Sequence, residues 1–205
     1  MSNAVREPAP LRPDLALIAS WIAPQSRVLD LGCGDGSLLA ALTVTKDCHG
    51  YGVEIDDTQV LACAKKGVSV IQQNIEQGLD MFTSERNEPT FDHVVLSMAI
   101  QSTHETEKVL LEMAQIGRDC IVSFPNFGHW FHIWSLMRGR MPVSGEMPYE
   151  WYNTPNLHLA TQSDFEDLLK KLGLRITESA FLNQGKVVRF LPGYRATQAI
   201  YRFTK

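Results

Sequence analysis

Cysteine is scarce in this 205-residue sequence: there are four, at positions 33, 48, 63 and 120. None forms a C-x-x-C pair, and no histidine stands at zinc-ligand spacing from them. No disulfide framework or metal site is expected, and the four read as reduced thiols of a cytoplasmic protein. Positive charge is also in short supply. Nineteen Lys and Arg face 23 Asp and Glu, for a net charge of −4. No bulk field draws the chain to nucleic acid or an anionic membrane, and the nearest basic cluster is only Arg138-Gly139-Arg140. No run approaches the roughly 18 apolar residues of a membrane span. Residues 1–10 carry no apolar signal core and are expected to form a flexible lead-in. No internal repeat occurs. The absence of G-x-S-x-G excludes the serine-hydrolase elbow, and the phosphate-binding lysine of a P-loop is missing too.

What stands out instead is the stretch from Arg27 to Gly36, RVLDLGCGDG. An apolar strand-like run ends in an acid and three glycines at alternate positions. The helical run Ser37-Leu38-Leu39-Ala40-Ala41-Leu42 follows at once. Glycine is required where a backbone bends sharply or lets a ligand approach it, and a helix N-terminus offers unpaired N–H groups to whatever lies over the turn.

The rest of the chain repeats this rhythm. A first helix is expected over Pro13–Ile22, with Leu15, Ile18 and Ile22 on one stripe. Strands are expected at 50–56, 68–72, 91–97 and 120–124. Helices are expected at Thr58–Lys66 and Glu105–Ile116, the latter stopped by Gly117. The 76–90 stretch is polar and loop-like. Ser163-x-x-Glu166 reads as a capping box for a helix ending near Leu172. Two further strands, at 174–182 and 198–203, close the sheet at seven. Alternating strands and helices define an α/β, Rossmann-like three-layer sandwich with a mainly parallel sheet. Such sheets bind ligands beyond the carboxyl ends of their strands. The glycine turn, Glu54, Asn74 and Ser97 all fall at those ends.

Gly32-x-Gly34-x-Gly36 departs from the dinucleotide fingerprint, because position 37 is serine. Asp30 precedes the turn, and Glu54 ends the second strand 20 residues after Gly34. A carboxylate there accepts hydrogen bonds from ribose hydroxyls. Acids repel phosphates but tolerate an amine or sulfonium, so the turn points to S-adenosylmethionine or its product S-adenosylhomocysteine before NAD or ATP. A dehydrogenase remains the third reading.

The run Val28–Gly36 resembles the first motif of class I S-adenosylmethionine-dependent methyltransferases. That resemblance implies an antiparallel last strand in the sheet. It implies Gly32, Cys33 and Gly34 under the methionine part, Glu54 on the ribose and Ile55 beside the adenine. It also implies Asn74 and Ile75 lining the adenine and Ser97 near the sulfonium. A second resemblance runs through nearly the whole chain from Leu11. Leu11-Arg12-Pro13-Asp14-Leu15, Val53-Glu54-Ile55-Asp56, the 123–130 run SFPNFGHW, the 138–142 run RGRMP and the 151–156 run WYNTPN are similar to the methionine-biosynthesis protein MetW family. This implies a single methyltransferase-like domain over 11–205 that supports or regulates homoserine O-acyltransferase. The alternative is a catalytic methyltransferase acting on a small metabolite.

No catalytic residue can be assigned. After the fourth strand the chain reads Ser97-Met98-Ala99-Ile100, not the Asn- or Asp-Pro-Pro-aromatic run of nucleobase and amide N-methyltransferases. Candidate bases are His104, His129, His158 and Tyr149, with His129 placed best, just after the fifth strand. The segment 124–162 forms an aromatic-rich insertion. Eight of the 18 aromatic residues lie between Phe124 and Tyr152. Trp130, Ile133, Trp134 and Met137 share a helical face, which serves either as buried lid or subdomain core or as a docking surface.

Overall fold

The computed structural model describes residues 10–84 and 88–205; most of the expected lead-in lies outside the described residues. Among these residues eight strands form one sheet: β1 (Arg27–Leu31), β2 (His49–Glu54), β3 (Val70–Gln72), β4 (Phe91–Ser97), β5 (Gly117–Pro125), β6 (Arg175–Asn183), β7 (Lys186–Val187) and β8 (Gln198–Thr204). Their order is β3-β2-β1-β4-β5-β8-β6-β7. The first five are parallel, and β8 runs antiparallel between β5 and β6. Seven strands were expected; the eighth is the two-residue β7, which makes a hairpin with β6. Two residues are too few to show a period of two. The hairpin turn has a use: a Cβ on Gly185 would lie 2.7 Å from Pro13 Cγ, so the turn packs on the start of α1.

Among the described residues seven α-helices accompany the sheet: α1 (Pro13–Trp21), α2 (Ser37–Lys46), α3 (Asp57–Lys65), α4 (Thr106–Ile116), α5 (Trp130–Met137), α6 (Gln162–Lys171) and α7 (Pro192–Arg195). Alternation along the strands sorts the core onto two faces. Leu29, Leu31, Val94, Leu96, Cys120 and Val122 pack with α4 and α6. Val28, Val95, Ile121 and Ile200 pack with α1 and α2. Gly117, expected only to stop α4, is also the first residue of β5, where a Cβ would meet Val94 Cγ2 at 2.6 Å.

The capping box of α6 is Thr161–Asp164, not Ser163–Glu166. The Asp164 N–H donates to the Thr161 hydroxyl at 3.3 Å, and the Thr161 N–H donates to the Asp164 carboxylate at 3.2 Å. Glu166 is instead occupied by the Tyr201 hydroxyl, which donates to it at 2.8 Å from β8. Thr161→Ala is therefore expected to cost about 1 kcal/mol, read as a lower urea midpoint. Ser163→Ala should leave the midpoint unchanged, and equal losses for the two would reject this assignment.

Candidate functional site

Chain order places β1 and β4 side by side, with the chain leaving in opposite directions across the sheet from that point. The crevice above their carboxyl ends is where open α/β sheets take ligands. The turn after β1 is tied to β2: the N–H groups of Gly32 and Cys33 both donate to the Val53 carbonyl, at 2.8 and 3.1 Å. Gly32, Gly34 and Gly36 have φ of +64°, +54° and +72°, the left-handed region that disfavours a side chain. At Gly34 a Cβ would meet nothing within 4 Å, so the turn opens onto free space.

Two adjoining cavities lie over it, of about 920 and 470 Å³, sharing Arg12, Gly32, Glu54, Ser97 and Met98 as walls. The larger is also lined by Asp30, Cys33, Gly34 and Tyr149; the smaller by Ile55, Asn74, Ile75 and His104. All nine expected site residues therefore line one or other of these two adjoining cavities. Glu54 is busier than expected: its carboxylate accepts the N–H of Gly34 at 2.8 Å, of Ile55 at 2.8 Å and of Asp56 at 3.0 Å. It thus braces the turn. Asn74 accepts the Glu76 N–H at 3.0 Å and fixes the bend after β3. Cys33 packs its thiol 3.8 Å from that of Cys63 beneath the turn, and burial pushes both thiols up, so both are protonated and inert.

Asp30 is the unusual group. It is 3% exposed, and among the described residues its carboxylate makes no hydrogen bond. Burial, and then the charge of Glu54, push it up to about 7, with Arg12 acting the other way. Ser97 accepts and donates in a chain of side chains: its hydroxyl lies 3.3 Å from Asp14 Oδ2, 3.5 Å from Arg12 Nη2 and 3.1 Å from Ser123 Oγ. Arg12 and Asp14 carry no glycine, period or strand-end signal, so motif reading passed over them as site residues.

The candidate bases separate. Tyr149 and His104 reach the crevice, the latter with Nδ1 3.1 Å from the Glu76 carboxylate. His158 lines a third, largely apolar cavity of about 600 Å³ beside Phe124, Leu159 and Phe165. His129, expected to face the ligand edge, lines none of these cavities; its Nδ1 accepts the Phe131 N–H at 3.4 Å as the cap of α5, and burial lowers its basicity. Among the described residues no group of three or more His, Cys, Asp or Glu could hold a metal ion, and no helix is long and apolar enough to cross a membrane.

The aromatic segment is anchored below and open above. Asn126 is buried, donates to the carbonyls of Gly193 and Ala196 at 2.8 and 2.9 Å and accepts the Gly128 N–H at 3.1 Å. Glu146 accepts from the Gln198 amide at 2.7 Å, which pins the following loop to β8. The face of α5 bearing Trp130, Ile133, Trp134 and Met137 is exposed, Met137 by 79%, and so is Trp151 by 72%. Most of these side chains are thus not a buried core.

The strand order, the glycine turn with its strand-end acid and the crevice above them define a Rossmann-like methyltransferase fold. Solved S-adenosylmethionine-dependent methyltransferases share it. One from Archaeoglobus fulgidus has a TM-score of 0.67 at 15% identity, over 93% of this chain and 91% of that one. Another from Thermotoga maritima, described as a possible histamine N-methyltransferase, has a TM-score of 0.63 at 16% identity, over 94% and 87%. The particular family is narrower: residues 12–203 match the profile of the methionine biosynthesis protein MetW, and the chain belongs to that family. A relative from Rhodopirellula baltica, the bifunctional methionine biosynthesis protein MetXA/MetW, is 35% identical over 195 residues, covering 89% of this chain; the chain spans 31% of that relative's length.

Proposed function

We propose that this protein binds S-adenosylmethionine or S-adenosylhomocysteine in the glycine-turn crevice and supports a homoserine O-acyltransferase in cytoplasmic methionine biosynthesis. The observation that carries the second part is the relative in which MetXA and MetW share one chain. The exposed tryptophans and methionine of α5 are the residue types enriched at interface centres. Co-purification with the acyltransferase, and its rate with and without this protein, test the reading. Neither binding nor a rate change would refute it.

The crevice suits the cofactor chemically. Asp30 is a buried carboxylate with no hydrogen-bond partner among the described residues, which suits an ammonium or sulfonium. Gly32, Cys33 and Gly34 would lie under the methionine part, with Ser97 near the sulfur. Glu54 would take the ribose hydroxyls through its remaining acceptor capacity, and Ile55, Asn74 and Ile75 would flank the adenine. S-adenosylmethionine supplies an already electrophilic methyl group when bound, so the residues named here only bind and orient it. A second reading, methyl transfer to a small metabolite, is favoured by the largely apolar third cavity, whose wall includes His104 of the crevice. Transfer of label from S-adenosylmethionine to a metabolite extract, above a Gly34→Arg control, would establish it; no transfer would exclude it.

A further inference from the structure

We propose that Arg12 is the receptor for the carboxylate at the amino-acid end of the ligand, held in place by Asp14 and Ser97. The proposal rests on the cofactor reading above and adds to it the residue that selects a ligand with an intact amino-acid end.

The argument begins with charge. The larger cavity is walled by three carboxylates, Asp30, Asp35 and Glu54, and among the described residues Arg12 is its one lysine or arginine. An ammonium or sulfonium is at ease there. A carboxylate on the same ligand is repelled unless a cation meets it. The field of Arg12 reaches into the crevice, since it offsets part of the rise at Asp30.

The geometry fits a receptor. Arg12 Nε and Nη2 donate to the two oxygens of Asp14, at 3.2 and 2.9 Å, in a two-pronged pair. Nη2 also lies 3.5 Å from Ser97 Oγ. Guanidinium has five N–H donors. Those on Nη1 have no partner among the described residues. Asp14 is 1% exposed while the Arg12 side chain is 59% exposed, so the acid is the buried anchor and the cation the accessible end. Pro13, between them, is backed by the β6–β7 turn through Gly185. A guanidinium fixed in advance loses little freedom when it takes up a carboxylate.

Calorimetry with three ligands tests this. S-adenosylhomocysteine has both charges of the amino-acid end, decarboxylated S-adenosylmethionine lacks the carboxylate, and 5′-methylthioadenosine lacks the whole end. Arg12→Ala should weaken S-adenosylhomocysteine by about 30-fold or more, the range for a hydrogen bond between charged groups. It should leave the other two within about twofold, as expected of ligands without the group that the residue reads. Arg12→Lys, which keeps the charge but not the fork, should recover part of the loss. Unchanged methylthioadenosine binding also reports that the variant is folded. Equal losses for all three ligands, or no loss for S-adenosylhomocysteine, would overturn the proposal. If the wild-type protein binds none of them, the cofactor reading itself falls, and the Arg12 proposal with it.

Discussion

Gly52→Ala is expected to lower stability by about 2–3 kcal/mol, the upper range for overpacking a core, and to disable the crevice from beneath, through Cys33 of the glycine turn. A Cβ on Gly52 would sit 2.4 Å from Cys33 Sγ and 3.0 Å from Cys33 Cβ. Cys33 has nowhere to retreat. Its N–H is held by the Val53 carbonyl at 3.1 Å, and its sulfur already rests 3.8 Å from Cys63 Sγ. Cys63 in turn supports the turn from below, donating to the Gly34 carbonyl at 3.1 Å, and a Cβ on Gly36 would lie 2.9 Å from its sulfur. The added methyl therefore displaces the turn as a unit. Urea denaturation of a double-mutant cycle checks this. Cys33→Ala alone should cost about 1 kcal/mol as a small cavity. Adding it to Gly52→Ala should recover more than half of the loss, because it removes the closest of the contacts. Simple additivity of the two changes would mean that the strain lies elsewhere.

This contact shows which part of the site could be read from sequence. The strand, the turn and α2 follow from local chemistry: an apolar run, glycines at alternate positions and a helical run. The acid at the end of β2 follows from the strand-end rule. That Gly52 lies against the turn is a matter of register, since Asp30 pairs with Gly52 across β1 and β2. Arg12 is further out of reach. It precedes a helix and meets Ser97, 85 positions away, only because α1 packs on the sheet. The capping box of α6 fails for a related reason. Thr161-x-x-Asp164 and Ser163-x-x-Glu166 are both valid local patterns, and Tyr201, from a distant strand, decides between them by claiming Glu166. For α5 the periodicity correctly groups Trp130, Ile133, Trp134 and Met137. Periodicity says which residues share a face, not whether that face turns inward, and here it turns out.

Ligand affinity is expected to rise with pH through about 7 and level off above 8, and Asp30→Asn should abolish that rise. Asp30 holds its proton up to about 7, from 3.8 in a free chain, chiefly because burial disfavours the charge and then because Glu54 repels it. The same shift sets the stability of the ligand-free protein. A carboxyl with a raised pKa in the folded state stabilises fully below about 4, and that contribution is lost as pH rises to 7. Above 7 the charged Asp30 is a net cost, so Asp30→Asn should stabilise the ligand-free protein at pH 8 by about 2–4 kcal/mol. The same substitution should weaken an ammonium-bearing ligand by about 30-fold at pH 8, since it removes a charge-assisted partner. Higher stability together with lower affinity is the signature of a group kept in strain for binding. A merely structural aspartate would lose both. The proton gives a further readout. At pH 6.5 binding should expel it from Asp30, so the calorimetric heat should change between phosphate and Tris by an amount set by their ionisation enthalpies. At pH 8.5 the two buffers should agree. Heats independent of buffer at pH 6.5, or a pH dependence that survives in Asp30→Asn, would show that another group carries the linkage.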